Sequence, residues 1–205
     1  MMHTEPRAMT SEMRLYDRRK RRLYINAAER ARFIAAARGA DPHVGSFCMV
    51  LLHTGCRISE ALELTPASLQ LRARVISFRT LKKRHRHEMR EVPIPAVLAD
   101  LLAATHGIGG AGTPSGEPLW RHRGRALNRS TGYRWIKAVM AEAGIEGAQA
   151  SPKGLRHGYG VHAIRRSVPL NMLSKWMGHA ALSTTAIYTN ASGREEQEIA
   201  ERMWD

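Results

Sequence analysis

Two cysteines in 205 residues are too few for a disulfide framework. Cys48 and Cys56 both lie in otherwise apolar or helical sequence, which predicts two buried thiols in a reducing compartment rather than a bridge. The same scarcity, with histidines scattered rather than spaced as ligand pairs, argues against a zinc site. No metal or other cofactor is expected. Apolar runs are short as well: none approaches the ~20 residues that span a bilayer, and Met1–Thr10 lacks the apolar stretch of a secretion signal. No membrane association is expected, and the expected location is cytoplasmic. Internal repeats are absent. Acidic charge is scarce too, with 18 Asp and Glu against 32 Lys and Arg, a formal net charge of +14. Such an excess implies a polyanionic partner, of which nucleic acid is the usual one. Charge alone fits a protein that merely holds nucleic acid as well as one that acts on it.

What remains is ordinary for a soluble globular chain. Apolar residues make up 43% of it, and the length suffices to bury a core. Residues 1–22 are polar and end in the basic cluster Arg14–Arg22, opposed only by Asp17, so they read as a flexible arm. Arg19 and Arg21 are its candidates for DNA-backbone contact; a solvated tail would look the same. One domain is expected over 23–205. Helices are predicted over Ile25–Arg38, closed by Gly39, over His43–Thr54, stopped by Gly55, and over Arg57–Leu64, ended by Pro66. Three short strands follow at Leu69–Leu71, Val75–Arg79 and Arg90–Ile94, the last two joined by a basic turn. Pro95 opens a helix to about Thr105, and the Gly- and Pro-rich segment 106–118 is a loop. Later helices are predicted over Arg129–Ala143, from Ser151 to about Arg166, over Pro169–Met177, from a Ser183 cap through Thr189, and over Arg194–Trp204. The class is mainly α with a small three-stranded antiparallel sheet, an α+β fold.

Four stretches carry chemistry. In Thr54-Gly55-Cys56-Arg57-Ile58-Ser59-Glu60, Arg57 and Glu60 share a helix face, so an Arg steadied by a carboxylate is set to grip a phosphate. A surface ion pair has the same pattern. Thr80-Leu81-Lys82-Lys83-Arg84 puts lysines on a hairpin that can enter a DNA groove; a lysine there can protonate a leaving alkoxide or simply bind phosphate. Ser151-Pro152-Lys153-Gly154-Leu155-Arg156-His157 gathers Lys153, Arg156 and His157 on one face near a helix N-terminus, opposite Leu155, Tyr159 and His162. Three cations on one turn call for an anion. Finally, Gly178-His179 is followed nine residues later by Tyr188 on a short capped helix. Taken alone, such a tyrosine is most often core packing.

In combination these stretches resemble the tyrosine recombinase, or phage integrase, family from about Ile25 to Trp204. The family pattern is an Arg with a nearby acid in T-G-x-R-x-x-E, a hairpin Lys, H-x-x-R, G-H, and a Tyr about nine residues on. Thr54-Gly55-Cys56-Arg57 with Glu60, then Lys82 (Lys83 competing), Arg156 in Leu155-Arg156-His157, Gly178-His179 and Tyr188 match in order and spacing. Lys153 stands where the pattern has His. The separate helical domain that precedes the catalytic one in most members is not represented, a short form that resembles the fimbrial phase-variation recombinases and hints at inversion.

The resemblance implies a tyrosine recombinase catalytic-domain fold and transesterification without metal or nucleotide. Tyr188 attacks the scissile phosphate, leaving a 3′-phosphotyrosine and a free 5′-hydroxyl, so religation needs no ATP. Arg57 and Arg156 clamp the nonbridging oxygens, Lys82 protonates the leaving oxygen, His179 with Lys153 orients the phosphate and assists proton transfer, and Glu60 fixes the architecture. Lys83, Arg84, Arg86 and His157 are expected to contact DNA. Implied partners are a double-stranded DNA recombination site, three further copies in a tetramer on DNA, with Arg194–Trp204 docking onto a neighbour, and accessory DNA-bending proteins. The implied location is the cytoplasmic nucleoid. Integration, excision, inversion and resolution stay open. An accessory DNA-binding factor with a silent site is the main rival, against which stands the filling of every main catalytic position. A type IB topoisomerase shares the chemistry. A His-hydrophobe-His relaxase fits poorly, because His85-Arg86-His87 puts Arg in the middle.

Overall fold

Asn26 starts the first helix with a reciprocal cap: its side chain accepts the Glu29 N–H at 2.9 Å, and the Glu29 carboxylate accepts the Asn26 N–H at 2.8 Å. In the computed structural model, which describes residues 14–79, 89–108, 116–191 and 194–204, this helix, α1, spans Ala27–Gly39. Helix α2 (Pro42–Thr54) begins at Asp41, whose carboxylate accepts the His43 and Val44 N–H groups. Its run Phe47–Leu52 is buried on every side. A helix apolar all round belongs in the centre, and α2 packs against α1 and four helices yet to come.

Short helix α3 (Ile58–Leu62) leads to strands β1 (Leu69–Gln70), β2 (Val75–Arg79) and β3 (Met89–Pro93). They form one antiparallel sheet in the order β1-β2-β3, with Ile76 opposite Val92 and Phe78 opposite Arg90. Alternation puts Arg90 and Val92 on the buried face of β3. Helices α4 (Ala96–His106), α5 (Arg129–Glu142), α6 (Pro152–Arg165), α7 (Leu170–Met177), α8 (Leu182–Ala186) and α9 (Arg194–Ala200) complete the chain, with a 3₁₀ turn over Ile187–Asn190. No helix among the described residues is long and apolar enough to cross a membrane. Cys48 and Cys56 are free and buried, as expected.

Two apolar cores result. The larger is built on α2 and takes in the inner face of the sheet, α4 and α5. The smaller joins Leu15, Tyr24, Val161, Leu173, Met177, Ile187 and Tyr188. Helix α6 serves both, through Leu155 on one side and Val161 on the other.

The fold departs from the sequence reading at three places. The arm expected over 1–22 does not take in residues 14–22. Leu15 is 4% exposed in the smaller core, Tyr16 pairs with Arg22, and Arg22 grips both Glu29 oxygens at 2.5 and 2.9 Å. Apolar burial and a carboxylate partner tie down residues 14–22, and 1–13 lie outside the described residues. Arg19 and Arg21 are exposed on a turn closed by Asp17, which pairs with Arg21 at 2.6 Å. A two-residue hairpin, β4 (Arg121–His122) with β5 (Arg125–Ala126), was not foreseen. Its strands are too short for periodicity, although Arg123-Gly124, both at positive φ, is a turn signal. Ser183 does not cap α8: the cap position is Ala181 with no side-chain bond, and Tyr188 stands on the 3₁₀ turn after the helix.

Candidate active site

Gly55 ends α2 in the left-handed conformation, φ +60°. A Cβ there would meet the Tyr159 ring at 2.4 Å, so both backbone and packing demand glycine. The chain turns at once into Arg57, whose backbone N–H donates to Glu60 Oε2 at 2.8 Å and whose Nη1 donates to Glu60 Oε1 at 2.9 Å. The Glu60 side chain is wholly buried, whereas that of Arg57 keeps 26% of its surface and so faces solvent on one side. Burial alone would raise Glu60; Arg90 and Arg57 outweigh it and hold the carboxyl below its ordinary range.

Arg90 was read from sequence only as part of a strand. It reaches in from β3 to Glu60, with Nη2 to Oε2 at 2.7 Å and Nη1 to Oε1 at 3.3 Å, and its Nε donates to Trp176 O at 2.9 Å. Its guanidinium lies over the Phe78 ring, 5.0 Å from the centroid. Arg156, one turn into α6, donates from Nη1 to Gly55 O at 2.5 Å and from Nη2 to Met177 O at 2.8 Å. Burial, reinforced by the like charge of Arg57, pushes it down to about 10, which leaves it charged at neutral pH. Three guanidiniums around one buried carboxylate leave the cluster positive, a setting for an anion.

Gly178 ends α7 at φ +64°, and His179 follows it, half-buried rather than open. The His179 Nδ1 and Thr185 Oγ1 are hydrogen-bonded at 2.8 Å. The His179 ring stacks on Tyr188 with centroids 6.2 Å apart and an interplanar angle of 17°. Tyr188 is 0% exposed. Its hydroxyl lies 3.4 Å from His157 Nδ1, at the long limit of a hydrogen bond. Burial pushes the phenol up to about 12, against the lowering fields of Arg156 and Arg57. A Cβ on Gly160 would lie 2.6 Å from the Tyr188 ring, so the tyrosine is seated on a glycine of α6.

The structure thus brings Arg57, Glu60, Arg156, His179 and Tyr188 together. Lys153 is exposed in the first turn of α6, three residues ahead of Arg156. His157 is a correction. It was expected on the charged outer face as a DNA contact, and it is instead 2% exposed, turned toward Tyr188. Of the face expected to be its opposite, Leu155 is buried, and Tyr159 and His162 are half-buried. Lys82, Lys83, Arg84 and Arg86 lie outside the described residues, between the end of β2 at Arg79 and the start of β3 at Met89. Among the described residues no group of His, Cys, Asp and Glu gathers as metal ligands. Sequence reasoning missed Arg90, Thr185 and Gly160. Only Arg90 left a signal, as a charge in the register of Val92 and Ile94.

Residues 24–195 match the phage integrase family. The chain is 31% identical over 153 residues to the tyrosine recombinase XerD of Shewanella oneidensis, covering 73% of this chain and 50% of that protein. It thus spans about half the length of that curated relative. The fold resembles that of the XerA recombinase, with a TM-score of 0.76 at 24% identity, over 89% of this chain and 65% of that one. It also resembles the XerH site-specific recombinase bound to its difH substrate in a pre-cleavage complex, with a TM-score of 0.71 at 19% identity, over 93% and 60% of the two chains.

Proposed function

The chain belongs to the phage integrase family, and from that premise we propose that it breaks and rejoins DNA through a phosphotyrosine at Tyr188. One observation carries the reading. Arg57, Arg156 and His179 come from three separate stretches: His179 stacks on the Tyr188 ring, Arg156 lies on the helix whose Gly160 seats that ring, and the charges of Arg156 and Arg57 both reach its hydroxyl. The DNA of the XerH complex supports a duplex as substrate.

The scissile phosphate sits against Arg57 and Arg156, whose remaining donors take its nonbridging oxygens. Charge builds on those oxygens in the pentacovalent transition state, and each well-aimed donor is worth roughly 3–4 kcal/mol. Tyr188 is stored under protein and protonated at neutral pH, so the 3₁₀ turn that carries it must shift to deliver the hydroxyl. The proton passes to His157 or His179, the two imidazoles beside the ring. The phenolate then forms the bond to phosphorus as the bond to the 5′-oxygen breaks. Lys82 or Lys83 protonates that oxygen, with Lys153 positioned beside the phosphate. Religation reverses the step on a partner strand.

Recombination joins two duplexes, so four copies on DNA are the proposed assembly. Met203 and Trp204, 77% and 68% exposed, support docking of the terminal segment onto a neighbour. Accessory DNA-bending proteins, a nucleoid location and the choice among inversion, integration, excision and resolution belong to the same proposal.

The test uses nicked duplexes tiled across the DNA flanking the gene, because a nick beside the cleavage point traps the covalent intermediate. Wild type should shift on a denaturing gel, and Tyr188→Phe should not, while both bind the duplex alike. Binding by both with no adduct from wild type on any tile would favour the accessory-factor reading.

A further inference from the structure

We propose that Arg90 is a positioning residue for this reaction, holding Arg57 and His179 in mutual register from beneath the site. The inference rests on the recombinase reading above. Among the described residues, the polar and ring partners of Arg90 are Glu60, Trp176 O and the Phe78 ring, not Tyr188. Its guanidinium instead binds both oxygens of Glu60 and one backbone carbonyl, Trp176 O. The Glu60 carboxylate is also what fixes Arg57, by its backbone N–H and its Nη1. Trp176 O and Met177 O are the last carbonyls of α7, and Arg90 and Arg156 cap one each. Gly178 completes the contact: a Cβ there would press on Arg90 Cδ, Cζ and Nε at 3.2 Å. The next residue is His179. One side chain thus links the start of α3, strand β3 and the end of α7.

Its own site is built to hold it still. Arg90 is 6% exposed, with Phe78 packed on the guanidinium face. A buried arginine with a buried carboxylate is weak ground for stability, since apolar residues of the same volume often do as well. The fork geometry has another use. A planar guanidinium spans a carboxylate edge and a carbonyl at once, and a lysine ammonium, a point charge, does not.

Arg90→Lys keeps the charge and loses the fork. The variant should melt near wild type and bind the tiled duplexes equally. Its covalent-adduct formation should fall roughly 100-fold on ordinary DNA, the scale set by misplacing one transition-state donor, and less than about 10-fold on DNA with a methylphosphonate at the scissile position. The methylphosphonate lacks one anionic oxygen and so needs less of the clamp that Arg57 completes. In the DNA-free protein the imidazole NMR signals of His179 should move in Arg90→Lys and stay in the surface control Arg129→Lys. An equal loss on both DNAs, no loss, or unmoved His179 signals would overturn the proposal. If Arg90→Lys does not fold, Glu60→Gln keeps the shape, removes the charge that anchors Arg90, melts somewhat lower, and carries the same expectations for adduct formation and for the His179 signals. A wild type that never forms an adduct would defeat the functional reading instead, and the His179 signals alone would then judge Arg90.

Discussion

Glu60 and Tyr188 are both fully buried polar side chains of the same site, yet they are held in opposite ways. Glu60 is tied to two guanidiniums and a backbone N–H at 2.7 to 3.3 Å. Tyr188 has a neighbouring imidazole at 3.4 Å, a stacked ring, and otherwise the apolar wall of the smaller core. The Glu60 side is fixed by charge-assisted bonds, which resist displacement. The Tyr188 side is held by non-directional packing, which permits a shift of a short turn. Under the proposed function, a site that stays silent off DNA and is ready on it divides the work in this way.

The largest effect should come from breaking the fixed side. Glu60→Ala leaves Arg57 and Arg90 without their buried partner, and such a loss costs about 3–5 kcal/mol. Chemical denaturation should show it, with Glu60→Gln milder because it keeps one acceptor oxygen. A loss below about 1 kcal/mol in Glu60→Ala would erase the contrast, being the value of a surface pair.

The stored side should respond more gently. Gly160→Ala pushes a methyl into the Tyr188 ring, and overpacking of this kind costs about 1–3 kcal/mol. Packing offers the ring a way out, so Tyr188 should become reactive to tetranitromethane without DNA, while it resists nitration in wild type. Equal nitration of both proteins would show that the tyrosine is not stored by packing.

Acid should affect the fold least of the three, and in a defined window. Burial, with the field of Arg30 second, pushes His53 down to about 4; His162 is likewise pushed to about 4, by burial first and then Arg30. Both are neutral in the folded protein at pH 6.5, the ordinary value, where the unfolded chain begins to bind protons. Their contribution is therefore complete above that pH and is lost as pH falls toward 4, so Tm should decline across this interval. Glu60, held below 4.5, gives way only at the acid end. A Tm that is flat down to pH 4.5 would remove the histidines from the account.

Local structure was legible because its signals are local. Ser151 caps the helix that follows, and Gly55 and Gly178 end theirs at positive φ, as their sequence positions suggest; the caps Asn26, Asp41 and Asn128 carry equally local signals that the sequence reading passed over. The order of Arg57, Arg156, His179 and Tyr188 was legible only through the family pattern, since no short-range periodicity joins them. Arg90 was out of reach because its partners lie 30 and 86 residues away. His157 was misread because helical spacing alone places it with Lys153 and Arg156, and only the smaller core decides that it turns inward. The burial of Tyr188 depends on Gly160, a contact between two elements that no single stretch reports.

The central claim is that the Tyr188 oxygen becomes the one joined to DNA. Wild-type adduct trapped on nicked duplex should be digested with protease and nuclease and the linked peptide sequenced by mass spectrometry. The nucleotide is expected on Tyr188 through a 3′-phosphate. A nucleotide on Ser183, Thr184 or any residue other than Tyr188 would contradict it.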